Sequence, residues 1–149
     1  MRYIAYGSNM SRAQMKFRCP DAKLVGMGYI AKARYEFRGY PGNAHATLEP
    51  DRVRGRKVPV AIWELSNQDE LRLDHYEGHP HYYRKEVWEA TLNNGRTVNG
   101  TIYLMNGEHI NLPSESYFDG IWNAYMDLGL KRHLGVLQQA LDAARAFEA

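Results

Sequence analysis

A chain of 149 residues has the length of one ordinary domain and leaves no room for a separate cofactor domain. Nineteen Lys+Arg against 17 Asp+Glu give a formal net charge of +2, and no block of like charge occurs, which argues against nucleic acid or an acidic membrane as the main partner. A single cysteine, Cys19, cannot form an internal disulfide and suits a reducing, cytoplasmic setting. The longest stretch free of Asp, Glu, Lys and Arg, Thr97 to Gly107, is about half of what a membrane span needs. Met1 to Tyr6 reads as a strand and not as a signal peptide. Eleven Tyr stand against four Phe, more hydroxyls than a purely structural core calls for.

The first strand, Arg2 to Tyr6, ends at Gly7-Ser8-Asn9. Ser11 with Gln14 has the pattern of a capping box for a short helix to about Phe17, stopped by Cys19-Pro20. Val25, Met27, Tyr29, Ala31, Ala33, Tyr35 and Phe37 then alternate with Lys32, Arg34, Glu36 and Arg38, which predicts one long strand with one buried face. A strand of that length has to bend or serve two sheets, and Gly26 and Gly28 offer bulge sites, so a barrel-like sheet is favoured. Tyr40-Pro41-Gly42-Asn43 predicts a turn and Ala44 to Leu48 a short strand. Val58 to Trp63 is apolar on both parities, as in a strand covered on both faces, with Pro59 placing its start at an edge or bulge.

Ser66 caps a short helix carrying Leu71 and Leu73, which runs into Asp74-His75-Tyr76-Glu77-Gly78. Tyr82 to Leu92 and Thr97 to Met105 flank Asn93-Asn94-Gly95, a hairpin signal, and Val98, Gly100, Ile102 and Leu104 share a face of the second strand. Pro113-Ser114 opens a helix to about Leu128 that Gly129 closes, and Leu130, Leu134, Leu137, Leu141 and Ala144 form the stripe of a last helix. No repeat or linker divides the chain, so residues 1–149 form one α+β domain.

Three features carry chemistry, and each has a structural alternative. The Gly7-Ser8-Asn9 turn between a strand and a helix presents backbone N–H groups suited to a carboxylate or a developing oxyanion; Gly and Ser also serve simply to turn the chain. Glu77 closes a short helix among aromatic neighbours, where the dipole and desolvation raise its proton affinity into the range of a useful base; the alternative is an exposed Glu before a capping Gly. Asp74 competes for the same role, one helical turn away. His75, His79 and His81 fall within seven positions, but Gly78 and Pro80 break the helical spacing that a shared metal would need, so no metal site is expected. Cys19 has no neighbouring base in sequence and reads as structural. Nucleotide-binding loops and zinc patterns are absent.

Tyr6-Gly7-Ser8-Asn9 near the start, Leu73-Asp74 followed by Glu77-Gly78, Tyr83 with the Val87 strand, Tyr103-Leu104-Met105, Pro113-Ser114 with Tyr117 and Ile121, and Gly129-Leu130 together resemble the γ-glutamylcyclotransferase-like superfamily, which includes the AIG2-like proteins. The resemblance covers nearly the whole chain and implies a small mixed β-barrel with peripheral helices. It also implies that Tyr6, Gly7, Ser8 and Asn9 cradle a γ-glutamyl group and that Glu77 is the catalytic acid/base. Ala124 stands where relatives often carry Gly, the long insertions of some eukaryotic members are absent, and Asn9 departs from the Leu that usually ends the loop of the glutathione-specific branch.

The implied reaction releases 5-oxoproline and a free amine from a γ-glutamyl amine or amino acid, by attack of the substrate's own α-amine, without a cofactor. Tyr83, and after it Tyr125, are candidates to hydrogen-bond the substrate or Glu77. Of the remaining tyrosines, Tyr29 and Tyr35 are assigned to the buried face of the long strand, and Tyr6 and Tyr76 to the site. Two rival readings remain: a non-catalytic module binding γ-glutamyl or small carboxylate metabolites, and the same chemistry applied to a protective γ-glutamyl group on a biosynthetic intermediate or to a γ-glutamyl-lysine fragment.

Overall fold

The computed structural model describes residues 1–148. Strands β1 (Arg2–Ala5), β5 (Lys57–Glu64), β2 (Lys23–Ala31), β6 (Tyr83–Leu92) and β7 (Thr97–Met105) close in that order into a barrel, and β3 (Ala33–Tyr40) with β4 (Asn43–Pro50) forms a separate two-stranded sheet. Barrel pairings are antiparallel except where β1 meets β7 in parallel at Tyr3 and Thr101. Helices α1 (Arg12–Arg18), α2 (Asn67–Tyr76), α3 (Glu115–Asp127) and α4 (Leu134–Glu148) complete the α+β architecture. The mixed barrel with its helices is the fold that the sequence predicts.

The long alternating stretch is two strands, not one. Lys32 breaks it at a φ of 57°, held there by its N–H donating to the Arg56 carbonyl and by its own carbonyl accepting from Asp51 N–H, both at 2.8 Å. Buried parity switches across the break: Gly28 and Ile30 face inward before it, and Ala33, Tyr35 and Phe37 after it. The stretch therefore serves two sheets. Tyr29 is not a core residue; it is half-buried with the Lys57 Nζ 4.4 Å from its ring centre. A bulge does occur early in β2, where register shifts between Leu24 and Gly26. Gly28 serves close approach instead: a Cβ there would run into the Thr91 carbonyl of β6.

Pro41-Gly42 is a two-residue turn, since β3 and β4 stay paired out to Tyr40 and Asn43 and Gly42 has a φ of 76°. The following strand runs to Pro50 and is longer than the sequence suggests. Pro59 lies opposite Tyr29 of β2 but beyond the residues of β5 that β1 pairs, so its missing N–H interrupts no ladder on that side. In β7, a Cβ on Gly100 would stand 2.8 Å from Ile4 Cγ1, which lets β1 and β7 close the barrel.

Serines cap three helices as read from the sequence: Ser11 accepts from Gln14 N–H, Ser66 from Asp69 N–H and Ser114 from Tyr117 N–H, at 3.1–3.2 Å. Leu130 does not belong to the last helix. It precedes a 3-10 turn, Lys131–His133, and the buried face of α4 is Leu137, Ala140 and Ala144, with Leu141 only half-buried. One apolar cluster joins both sheets to the helices through Ile4, Phe37, Ile62, Leu73, Ile121 and Leu137. No helix among the described residues is long and apolar enough to cross a membrane.

Candidate functional site

A cavity of about 230 Å³ opens where the end of β1, β4, the end of α2, β6, β7 and α3 meet. Of the 11 tyrosines in the chain, seven line it: Tyr3, Tyr6, Tyr76, Tyr82, Tyr83, Tyr103 and Tyr117. The tyrosine excess is thus concentrated at one place. Gly7, Ser8, Asn9, His45, Ala46 and Glu77 complete the wall, so Tyr6, Gly7, Ser8, Asn9, Tyr83 and Glu77, far apart in sequence, surround one space.

Glu77 follows the last turn of α2, with its N–H still bonded to the Leu73 carbonyl at 2.8 Å. Burial raises its carboxyl to about 7, against the opposing pull of the Arg18 cation. Asp74, one turn earlier, has a different fate. It does not line the cavity; its carboxylate is held by Lys85 Nζ at 2.7 Å and accepts from the Tyr103 hydroxyl. Lys85 also reaches Glu70 at 2.9 Å. Asp74 is therefore paired beneath a tyrosine of the wall, and Glu77 is the carboxyl that lines the space.

The turn after β1 is a 3-10 turn, Ser8–Met10, closed by Met10 N–H to Gly7 O and Ser11 N–H to Ser8 O at 3.0 and 3.1 Å. Such a turn leaves its first N–H groups without internal acceptors, and Ser8 and Asn9 N–H find none among the described residues. The Asn9 side chain is engaged at both ends: Nδ2 donates to Tyr3 Oη at 3.0 Å and Oδ1 accepts from Arg18 Nη1 at 2.6 Å. Its backbone carbonyl accepts from Trp63 Nε1 at 3.1 Å. Asn9 thus shapes the turn with its side chain and offers its peptide to the cavity.

Three tyrosines converge on the backbone of Ala46 in β4. Tyr83 donates to the Ala46 carbonyl at 2.7 Å, Tyr6 donates to the Tyr103 carbonyl and lies 3.4 Å from the same Ala46 oxygen, and Tyr117 accepts from Ala46 N–H at 3.0 Å. Desolvation pushes the hydroxyls of Tyr6, Tyr83 and Tyr117 up, so all three stay neutral. The Tyr117 proton has no acceptor among the described residues and is available to a ligand.

Sequence reasoning missed His45, Tyr3, Tyr82, Tyr103 and Tyr117 as lining residues. His45 packs edge-on against Tyr117, its ring centre 4.9 Å away, and meets Tyr82 Oη at 3.1 Å through Nδ1. Burial lowers its pKa and favours the neutral ring. Position on β4 brings it here, and an alternation pattern cannot say which sheet face meets a helix 70 residues later. Tyr125 is the converse case. It is fully buried outside the cavity with no partner for its hydroxyl among the described residues, because it lies two turns beyond Tyr117 on α3, where the helix enters the core.

His75 and His81 are exposed, and His79 lies edge-on to Tyr103; no cluster of three metal-ligating side chains exists among the described residues. Cys19 is buried, its thiol directed at the Asp69 carbonyl and pushed up to about 11 by desolvation. A carboxyl that titrates near neutrality, unpaired peptide N–H groups and neutral hydroxyls suit proton transfer on a small polar substrate.

A family model described as gamma-glutamyl cyclotransferase, AIG2-like, matches residues 3–124. A solved structure titled gamma-glutamyl cyclotransferase is similar at a TM-score of 0.81 and 21% identity, covering 93% of this chain and 85% of its own. The human uncharacterized protein loc79017 gives the same TM-score, identity and coverage. YkqA from Bacillus subtilis is similar at a TM-score of 0.72 and 19% identity, over 91% of this chain and 54% of its own. No curated protein sequence matches the chain.

Proposed function

The chain belongs to the AIG2-like gamma-glutamyl cyclotransferase family, and from that premise we propose that it converts a γ-glutamyl amine or γ-glutamyl amino acid into 5-oxoproline and a free amine, with Glu77 as acid/base and no cofactor. The observation that carries this reading is the Glu77 carboxyl, raised to about 7, on the same cavity wall as the Tyr6–Asn9 turn.

Nucleophile and electrophile arrive tethered in one substrate. Closing a five-membered ring from the α-amine onto the δ-carbonyl draws on effective molarities that reach about 10⁵ M or more when the groups are well oriented. The enzyme must supply a neutral amine, since an α-amino group titrates at roughly 7.7–8.0. Glu77 takes a proton from that nitrogen as the new C–N bond forms and the carbonyl becomes an oxyanion. Collapse of the oxyanion breaks the original C–N bond, and Glu77 delivers the proton to the departing nitrogen. Ser8 and Asn9 N–H bind the substrate carboxylate or the oxyanion. Tyr117 donates its free proton, while Tyr6 and Tyr83, whose own protons are committed to carbonyls, offer lone pairs. The single buried thiol fits work in a reducing cytoplasm.

The test is incubation of the purified protein with γ-glutamyl amines, γ-glutamyl amino acids and glutathione, following 5-oxoproline by mass spectrometry. Turnover of at least one substrate, lost in Glu77→Gln, is the expected result. Silence across the panel together with a thermal shift on adding 5-oxoproline would replace it with a non-catalytic binding role.

A further inference from the structure

A second, larger cavity of about 810 Å³ lies between the β4–β5 connection and the start of α4. Five of its lining side chains, Arg34, Arg54, Arg56, Lys57 and Arg132, are cationic, and one, Glu36, is acidic, on a chain whose 19 Lys+Arg and 17 Asp+Glu otherwise nearly balance. Arg34 is engaged by Glu36 and Asp51, and Arg56 shares Asp51 at 3.6 Å. Arg54, Lys57 and Arg132 form no ion pair with any described carboxylate.

Two features set where the cations stand around the cavity. The connection that carries Arg54 and Arg56 is pinned at both ends by the left-handed Lys32 peptide, through Arg56 O and Asp51 N–H, and Asp51 Oδ1 accepts from Val53 N–H at 2.8 Å. Across the cavity, Arg132 and His133 stand immediately before α4, whose first turn contains no acidic residue. Cations there are opposed by the positive end of the helix. Like charge gathered in a concavity raises the local potential and is relieved by an anion. Val58, Val136 and Ala140 give the same cavity an apolar wall.

We infer that this groove binds a small organic phosphate, the anion forked by the guanidinium groups of Arg54 and Arg132 and its apolar body resting on Val58 and Val136. Planar guanidinium groups match phosphate oxygens in pairs, and the volume falls within the range of small-molecule sites. A nucleic acid would need a stripe of cations continuing past the groove, which the balanced charge elsewhere does not provide. This inference is independent of the activity proposed for the tyrosine-lined cavity.

Calorimetric titration of the full chain at low salt with ADP, inorganic pyrophosphate and adenosine tests it. ADP is expected to bind saturably, pyrophosphate more weakly and adenosine not at all. The double variant Arg54→Gln/Arg132→Gln should weaken ADP at least tenfold with its thermal midpoint and 5-oxoproline formation unchanged, whereas Lys16→Gln/Lys23→Gln, the same two charges lost from exposed positions elsewhere, should leave ADP binding intact. Absence of saturable ADP binding, equal binding of adenosine, indifference to the double variant, or a single-stranded oligonucleotide binding more than tenfold tighter than ADP would each overturn it.

Discussion

The Arg18 guanidinium carbon lies 3.8 Å from the centre of the Tyr76 ring, while the same side chain donates to Ser8 Oγ and Asn9 Oδ1 at 3.1 and 2.6 Å. One cation thus ties the turn after β1 to the end of α2, and it is the group that opposes the rise in Glu77 proton affinity. Arg18→Gln should move the acid limb of the kcat/KM profile to higher pH and raise KM about tenfold, the scale of one or two charge-assisted hydrogen bonds. Arg18→Lys keeps the charge without the fork, so it should restore the limb more fully than KM.

Glu77 also makes stability depend on pH. Its folded value of about 7 lies above the unfolded value of about 4.3, so between them the folded state binds more protons than the unfolded one. Stability therefore falls as pH rises from about 4.3 to 7 and levels off above. Glu77→Gln removes this penalty. Its thermal midpoint should exceed that of the parent at pH 8 by about 4–8 °C, for roughly 2 kcal/mol at this chain length, about half of the ~3.7 kcal/mol that separates the two values because the carboxyl borders an open cavity where solvent screens it, and the gap should close at pH 4. In the parent, kcat/KM should rise through pH 7 as the carboxylate forms.

Asp74→Asn separates the two neighbouring acids. Losing the charge opposite Lys85 and the acceptor of the Tyr103 hydroxyl should cost about 1 kcal/mol, visible as a midpoint lowered by about 2–4 °C. Most of the 5-oxoproline activity should remain, since this carboxylate does not face the cavity. An inactive but normally folded Asp74→Asn would transfer the acid/base role away from Glu77.

Two glycine substitutions should act in opposite directions. In Gly28→Ala the new methyl meets the Thr91 carbonyl and comes within 3.0 Å of Leu92 Cα, backbone that cannot give way without loosening β2 from β6; a loss of about 2–3 kcal/mol in denaturant unfolding is expected. Gly120, exposed in the middle of α3, has nothing within 4 Å of the added methyl. There Ala should stabilise by about 0.5–1 kcal/mol through helix propensity.

What the sequence disclosed follows from how local each signal is. Serine caps, the Asn-Gly hairpin and the two-sided apolar run of Val58–Trp63 are decided within a few residues, and they stand in the structure where they were read. The break at Lys32 was hidden because its neighbours continue an apolar alternation in letters while the buried face changes in space. Tyr6–Asn9 and Glu77 were legible through a family pattern. His45 stood outside that pattern and Tyr117 stood in it without a role, because what makes them wall residues is the docking of α3 on β4. Tyr125 was misjudged for the same reason: hydroxyl chemistry suggested a site, and depth along the helix decided otherwise.

The peptide at Ala46 belongs to the two-stranded sheet, whereas the hydroxyls that meet it come from the segment after β1, from β6 and from α3. The cavity is accordingly a joint between parts that the chain builds separately, and no fragment holding only the barrel or only the hairpin contains it. Loss of ligand binding on heating should then coincide with separation of the two sheets and not trail it, which makes occupancy of this space a direct reading of whether the hairpin is seated.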